Sequence, residues 1–291
     1  MLLTDIVNMF STFTKTRVSE LRINNVAVVG VGVVGGAILK SFQERGINAI
    51  GYDKYKSEYQ PLSDIFNCDI VFLCLPTPYS EQLKRYDTQA IEDICQQLHD
   101  NLFNGLVVIK STVEPQTTDK LIEKYNLSII HNPEFLNART AKEDFDNQTH
   151  LVIGIPNKIN FEYQEQLVKF YREYYPSIKY VSVASATESE TMKIAVNSFY
   201  AVKVQFFNEL YQLCQNMDYH TDYENVKDMM LKNDWINPMH TKVPGTDGKL
   251  SYGGMCLPKD SSALLEFMKR NNCPHAVLAG TVEERNTMRD D

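Results

Sequence analysis

Residues 26–42, "VAVVGVGVVGGAILKSF", constrain the fold of this chain more than any other stretch. A run rich in β-branched residues ends in Gly30-x-Gly32-x-x-Gly35, and an apolar helical pattern follows without a break. Gly30 permits a tight turn, Gly32 lets the backbone approach a pyrophosphate, and Gly35 lets the helix lie close against the strand. Val33 and Val34 then fall in the first helical turn, where the N–H groups and the helix dipole attract phosphate. A second strand pattern ends in Asp53, at the spacing where a carboxylate accepts the ribose hydroxyls of NAD and repels the extra phosphate of NADP. Strand, turn, helix and acid together predict an NAD site at Gly30, Gly32, Val33, Val34, Gly35 and Asp53, although Lys54 beside the acid could tolerate a phosphate.

The alternation continues for half the chain. Strand-like runs at 26–32, 47–53, 69–76, 106–110, 127–131, 150–155 and 178–183 carry β-branched residues on both sides, as strands covered on both faces do. Helical stretches separate most of them, so the expected fold is α/β, a doubly wound Rossmann-type parallel sheet. Beyond residue 185 the strand signals stop. Residues 187–217 contain neither glycine nor proline over about eight helical turns, and shorter helices are expected at 224–231, 259–270 and 275–288. The expected organisation is an NAD-binding domain at 23–185 and an all-helical dimerisation domain at 186–291. Ahead of both, residues 1–22 space Leu3, Ile6, Val7, Phe10 and Phe13 as an amphipathic helix, expected to dock on its own protein or a second subunit.

Composition narrows the partners. The formal net charge of -8 argues against nucleic acid or an anionic membrane surface. No apolar run reaches bilayer-spanning length, and the N-terminus is too polar for a secretory signal. The six cysteines form neither a disulfide framework nor a Cys-x-x-Cys metal pair, which suits reduced thiols in a cytoplasmic protein. No metal is expected.

A second constellation carries the chemistry. In "YGGMCLPKD" (252–260), Pro258 suits the first turn of a helix, which puts Cys256 just before the helix start, beside Lys259. Dipole and cation are expected to favour thiolate, the nucleophilic form. Gly253 and Gly254 give the backbone room to admit a substrate, and Asp260 lies one helical turn beyond the sulfur. The plainer alternative is a small buried hydrophobe. A thiol beside a hydride acceptor suggests oxidation past the aldehyde, because a thiolate adduct makes the aldehyde carbon a hydride donor again. Such a scheme needs groups that stabilise oxyanions. Lys193 and Asn197 share a face of the long helix, whose apolar neighbours imply burial nearly all round; a lysine on a wet stripe with Lys203 is the alternative.

These stretches, with "LPTP" (75–78), "KSTVEPQTT" (110–118), "NPEFL" (132–136), "MKIAVNSF" (192–199) and "VPGTDGKLSYGGMCLPKD" (243–260), resemble the UDP-glucose/GDP-mannose dehydrogenase family from Ile23 onward. The resemblance implies a two-step, four-electron oxidation of a sugar C6 hydroxymethyl to carboxylate with two NAD, UDP-glucose to UDP-glucuronate being the leading expectation. It implies Cys256 as the nucleophile holding thiohemiacetal and thioester, Lys193 and Asn197 as oxyanion stabilisers, and Asp260 with Lys193 helping to deprotonate the alcohol through a water. Glu134 and Thr112 would handle the hydrolytic water, and Thr77 and Pro78, with Thr112, would meet the cofactor. Glu134, Phe135, Leu136, Lys193, Asn197, Tyr252, Gly253 and Gly254 would line the sugar, and the long helix would form a homodimer. GDP-mannose or a UDP-N-acetylhexosamine as substrate, or an NAD-binding dimer with little turnover, stay open as alternatives. Three departures stand out. Ala138, followed by Arg139, stands where the family usually has an acid, and Trp235 replaces an arginine that commonly reaches across the dimer. The family also normally continues into a third nucleotide-binding domain, and this sequence ends at Asp291.

Overall fold

The computed structural model describes residues 23–157 and 161–291. The expected helix within residues 1–22 lies outside them. All seven expected strands are present: β1 (Asn25–Val29), β2 (Asn48–Tyr52), β3 (Ile70–Leu73), β6 (Leu106–Ile109), β7 (Ser128–His131), β8 (His150–Ile155) and β9 (Tyr180–Ser185). They form one sheet in the order β2-β1-β3-β6-β7-β8-β9. Two short strands, β4 (Tyr79–Ser80) and β5 (Arg85–Tyr86), make a separate antiparallel hairpin that no sequence pattern announced.

Alternate residues of each strand point to opposite faces, and here both faces are covered. Val26, Val28, Phe72, Val108, Ile130 and Ile153 bury one face against helices α1 (Val33–Glu44), α5 (Ala141–Asp146) and α6 (Phe161–Tyr174). Phe42 of α1 anchors this layer, its ring 5.9 Å from Phe145 and 5.6 Å from Phe170. Ala27, Val29, Val71, Leu73, Val107 and Ile129 bury the other face under α3 (Gln89–Asp100) and α4 (Thr117–Tyr125), with the one-turn helix α2 (Leu62–Ile65) at its margin. Each large side chain buried this way contributes about 1.5–3 kcal/mol.

The sheet is not wholly parallel. β8 runs antiparallel to β7, paired only at His131 and Gly154, while β9 runs parallel to β8. A buried strand reads the same in either direction, so hydrophobic pattern alone could not reveal this.

Ser185 ends β9, and the 31-residue helix α7 (Ala186–Asn216) begins at the next residue. A reciprocal capping box sets that start: Ser185 Oγ accepts from Glu188 N at 3.2 Å, and Glu188 accepts from Ser185 N at 2.8 Å. The first turn of α7 sits directly on β8, because a Cβ added at Gly154 would lie 2.5 Å from Ser189 Cβ. One turn on, the fully buried Glu190 accepts from Gln116 N, Thr118 N and Thr118 Oγ1, at 2.6–2.8 Å, at the start of α4. Burial pushes its carboxyl up to about 7 against those donors. Helices α8 (Tyr223–Leu231), α9 (Leu257–Arg270) and α10 (Ala276–Met288) pack around α7.

The expected all-round burial of α7 does not hold. Phe199, Phe206 and Leu213 are 61%, 54% and 55% exposed, and their seven-residue spacing aligns them in one apolar stripe.

Candidate active site

The glycine turn is built as its spacing requires. Gly30 has φ +86°, and a Cβ there would meet Cys74 O at 2.7 Å. A Cβ at Gly35 would lie 2.0 Å from Gly30 O, so only glycine lets α1 pack on the turn. Gly32 is exposed, with no atom within 4 Å of an added Cβ, and no side chain caps α1. Open space at an uncapped helix start fits a pyrophosphate. Val33 and Val34 follow in the first turn of α1, with Val33 well exposed. Asp53, just past β2, accepts from Val31 N at 2.9 Å and from Tyr55 N at 3.0 Å, so the ribose-side acid also fastens the turn. Lys56, absent from the sequence expectations, donates to Val31 O at 2.6 Å. At the neighbouring strand ends, buried Thr77 donates through Oγ1 to Thr112 O at 2.7 Å, while Pro78 is exposed.

The helical part supplies a second cluster. Cys256 is the N-cap residue of α9 and Pro258 stands in its first turn. Asp260 N donates to Cys256 O at 3.0 Å, which fixes the one-turn spacing between thiol and carboxylate. Asp260 is fully buried and accepts three hydrogen bonds. Tyr86 Oη (2.5 Å) and Lys259 Nζ (2.5 Å) donate to Oδ1, and Asn197 Nδ2 (2.6 Å) donates to Oδ2. Lys193 turns elsewhere: its buried ammonium donates to Glu134 O at 2.5 Å, lies 3.4 Å from Glu134 Oε1, and stands 5.1 Å over the Phe135 ring. Glu134 Oε2 in turn accepts from Leu136 N at 2.6 Å. Lys193 and Asn197 do share one face of α7, but they serve different acids. Lys203, the wet-stripe alternative, bonds Asn237 O instead.

The expected thiolate needs correcting. Cys256 is exposed as a residue, yet protein crowds its sulfur; that desolvation, followed by Asp260, raises the thiol above its ordinary range. Lys259 and Lys193 pull it down, Glu134 adds to the rise, and the sum stays upward. Asp260 is one turn away, so its charge cancels what the neighbouring lysine offers.

The loop before the thiol is clamped from the chain's far end. Tyr252 is buried and its carbonyl accepts from Arg285 Nε at 3.3 Å. A Cβ on Gly253 would fall 2.3 Å from Arg289 Nη2, and Gly254 holds φ +79°. Arg289 itself is tied to Asp247 Oδ2 at 2.5 Å. Arg139, at the position where an acid was expected nearby, reaches Thr246 Oγ1 at 3.5 Å.

Sequence reasoning missed Tyr86, and it missed a buried polar group under the cluster. Lys110 Nζ and Tyr171 Oη both donate to Asn132 Oδ1, at 2.9 and 2.8 Å. Burial brings the Lys110 ammonium down to about 8 and the neighbouring His131 to about 3. Lys110 and Asn132 stand inside the quoted motifs, so a lysine within an apolar strand was the available signal. No group of three or more metal-ligating side chains occurs among the described residues.

A Rossmann-type sheet whose glycine turn fits a dinucleotide, joined to a helical unit bearing a thiol, defines an NAD-binding chain of the dehydrogenase type. The NAD binding domain of the UDP-glucose/GDP-mannose dehydrogenase family matches residues 55–175, and the family's central domain matches residues 187–288. The chain belongs to this family. A UDP-glucose 6-dehydrogenase of Rickettsia conorii is 29% identical over 236 residues, covering 76% of this chain and 50% of the relative. One from Rickettsia bellii is 31% identical, covering 79% and 51%. Among solved structures, a UDP-glucose dehydrogenase from Pyrobaculum islandicum shares the fold with a TM-score of 0.77 at 22% identity, over 91% of this chain and 68% of that one. The chain spans about half the length of the curated relatives it matches.

Proposed function

We propose that this chain carries the NAD-binding and chemical parts of a nucleotide-sugar dehydrogenase that oxidises a C6 hydroxymethyl to a carboxylate, with UDP-glucose as substrate and UDP-glucuronate as product. The observation that carries the reading is the Cys256–Asp260 turn. A thiol and a buried carboxylate share the first turn of α9, and Asn197 from α7 bonds that carboxylate. A β-hydroxyacid dehydrogenase, which needs only one oxidation, has no use for such a thiol.

NAD, when bound at the glycine turn, would supply a one-hydride acceptor, so the two hydrides of the oxidation require two NAD in succession. The chain's own residues do the rest. Asp260, held by Lys259 and Asn197, takes the alcohol proton through a water with Lys193 assisting, as the first hydride leaves C6. Cys256 Sγ adds to the aldehyde carbon, its proton passing to water; Asn197 and Lys193 hold the resulting oxyanion, whose collapse releases the second hydride and leaves the thioester. Water cleaves the thioester and returns the thiol, with Glu134 and Thr112 orienting that water. Because the resting thiol sits above its ordinary range, this half of the reaction gains rate as pH rises.

The exposed Phe199–Phe206–Leu213 stripe supports a homodimer through α7, since apolar rows at this spacing are covered by a second helix. Free cysteines and the acidic composition suit a cytoplasmic protein, and no helix among the described residues is long and apolar enough to cross a membrane. The test is NADH formation with a panel of UDP- and GDP-sugars. Two NADH per sugar are expected, with the second oxidation lost in Cys256→Ser. One NADH per sugar from the unmodified chain overturns the reading.

A further inference from the structure

The hairpin Tyr79–Tyr86 follows directly on Thr77 and Pro78 at the cofactor side, and it touches the nucleophile helix α9 at both ends. At its C-terminal strand, Tyr86 is 3% exposed and gives its hydroxyl to Asp260 Oδ1 at 2.5 Å. Lys259, whose ammonium shares that oxygen, lies 4.6 Å over the Tyr86 ring. At the far end of α9, Arg270 Nη1 donates to Lys84 O at 2.5 Å and Nη2 pairs with Glu114 Oε2 at 2.7 Å. Tyr86, Ile194 of α7 and Ala263 of α9 form one buried cluster, with Tyr79 and Leu264 packed against it. The hairpin's own base is closed by Asp87 N donating to Pro78 O at 2.8 Å. The carboxylate one helical turn from the thiol is therefore held by a phenol 174 residues away in sequence.

We infer that Tyr86 is a positioning residue for the reaction: its hydroxyl fixes Asp260, and through Asp260 the placement of Lys259 and Asn197, relative to the cofactor-side loop at Thr77 and Pro78. The kinetic consequence rests on the dehydrogenase reading above; the effect on Cys256 does not. Two donors, Tyr86 and Lys259, converge on Oδ1. With the phenol gone, Lys259 alone neutralises that oxygen, leaving more of the carboxylate's charge facing the sulfur one turn away. Burial of Tyr86 and the adjacent Asp260 keep the phenol protonated, so it acts as a fixed donor across the working pH range.

Tyr86→Phe tests this, because it keeps the ring that Lys259 covers and removes only the donor. With UDP-glucose and NAD, kcat is expected to fall about tenfold, the scale of one buried hydrogen bond to a charged group, while KM for both and calorimetric NAD affinity stay within about twofold. The activity-independent readout is alkylation of Cys256 by iodoacetamide against pH, in a Cys273→Ser background. The charged groups acting on this sulfur are Asp260, Lys259, Glu134 and Lys193. Tyr86→Phe is expected to move the alkylation midpoint to higher pH and to slow alkylation near neutrality. A displaced midpoint in a chain that yields no NADH with any sugar retains the Tyr86 inference and sinks the dehydrogenase reading. An unmoved midpoint, or kcat within twofold of the unmodified chain, overturns the inference.

Discussion

Gly32 and Gly35 lie three residues apart, yet alanine at each should fail differently. Gly32 has φ -82° and ψ -148°, outside the regions alanine favours, although its added Cβ meets no atom within 4 Å. Gly32→Ala should therefore cost the fold about 1–2 kcal/mol of backbone strain without a steric clash. The methyl would stand in the open space at the start of α1, on the path proposed for the pyrophosphate of NAD. Crowding one methyl into an occupied site costs about 1–3 kcal/mol, so NAD should bind roughly 5- to 150-fold more weakly. At Gly35 the added Cβ falls 2.0 Å from Gly30 O and 3.1 Å from Cys74 Cβ, so α1 must move off the turn before anything binds. Gly35→Ala should lose a similar ~1–3 kcal/mol from the fold as well as weakening NAD. Calorimetric titration with NAD and thermal melts on both variants check the contrast. Gly32→Ala binding NAD with unmodified affinity would refute the assigned path of the pyrophosphate. A Gly35→Ala melt unchanged from the parent would refute the tight helix–turn contact.

Three further outcomes follow from the geometry. Lys193→Met should destabilise the chain by about 3–5 kcal/mol in denaturant unfolding, because it leaves Glu134 without its buried cation; a loss below ~1 kcal/mol would mean that water already solvates that acid. The Glu190 carboxyl stands near 7 when folded and about 4.5 when unfolded, so its contribution is complete below the unfolded value and disappears as pH rises through about 7. Glu190→Gln should flatten that decline, on the order of 3 kcal/mol, in melts taken between pH 5 and 8, and an unchanged slope would show that the Gln116 and Thr118 donors offset the burial. On the proposed pairing through α7, Phe206→Glu should shift light-scattering mass from dimer to monomer without lowering the melting temperature of the monomeric fold; an unshifted mass would refute a dimer through this stripe.

Local chemistry made much of this legible. The glycine turn rests on spacing within a few residues, and Asp53 stands at the end of the very next strand. Strand positions were legible because both-face burial demands β-branched runs. Strand direction was not, since Leu151, Val152 and Ile153 bury equally well in either sense. The Cys256 environment was half legible: helix start, Lys259 and Asp260 are local, but the Glu134 and Lys193 charges acting on the sulfur come from segments distant in sequence. Tyr86 was invisible for the same reason. Two-residue strands have no periodicity to detect, and the partner that gives the tyrosine its role lies on another helix.

The join between β9 and α7 bears on how such a molecule opens. A strand that becomes a helix at a single residue, locked by its capping box and seated on Gly154, leaves no linker to swivel. A 31-residue helix is a rod about 46 Å long. Any displacement of its free end is resisted by bending stiffness and transmitted to the sheet at its root. The sheet and rod therefore behave as one bracket.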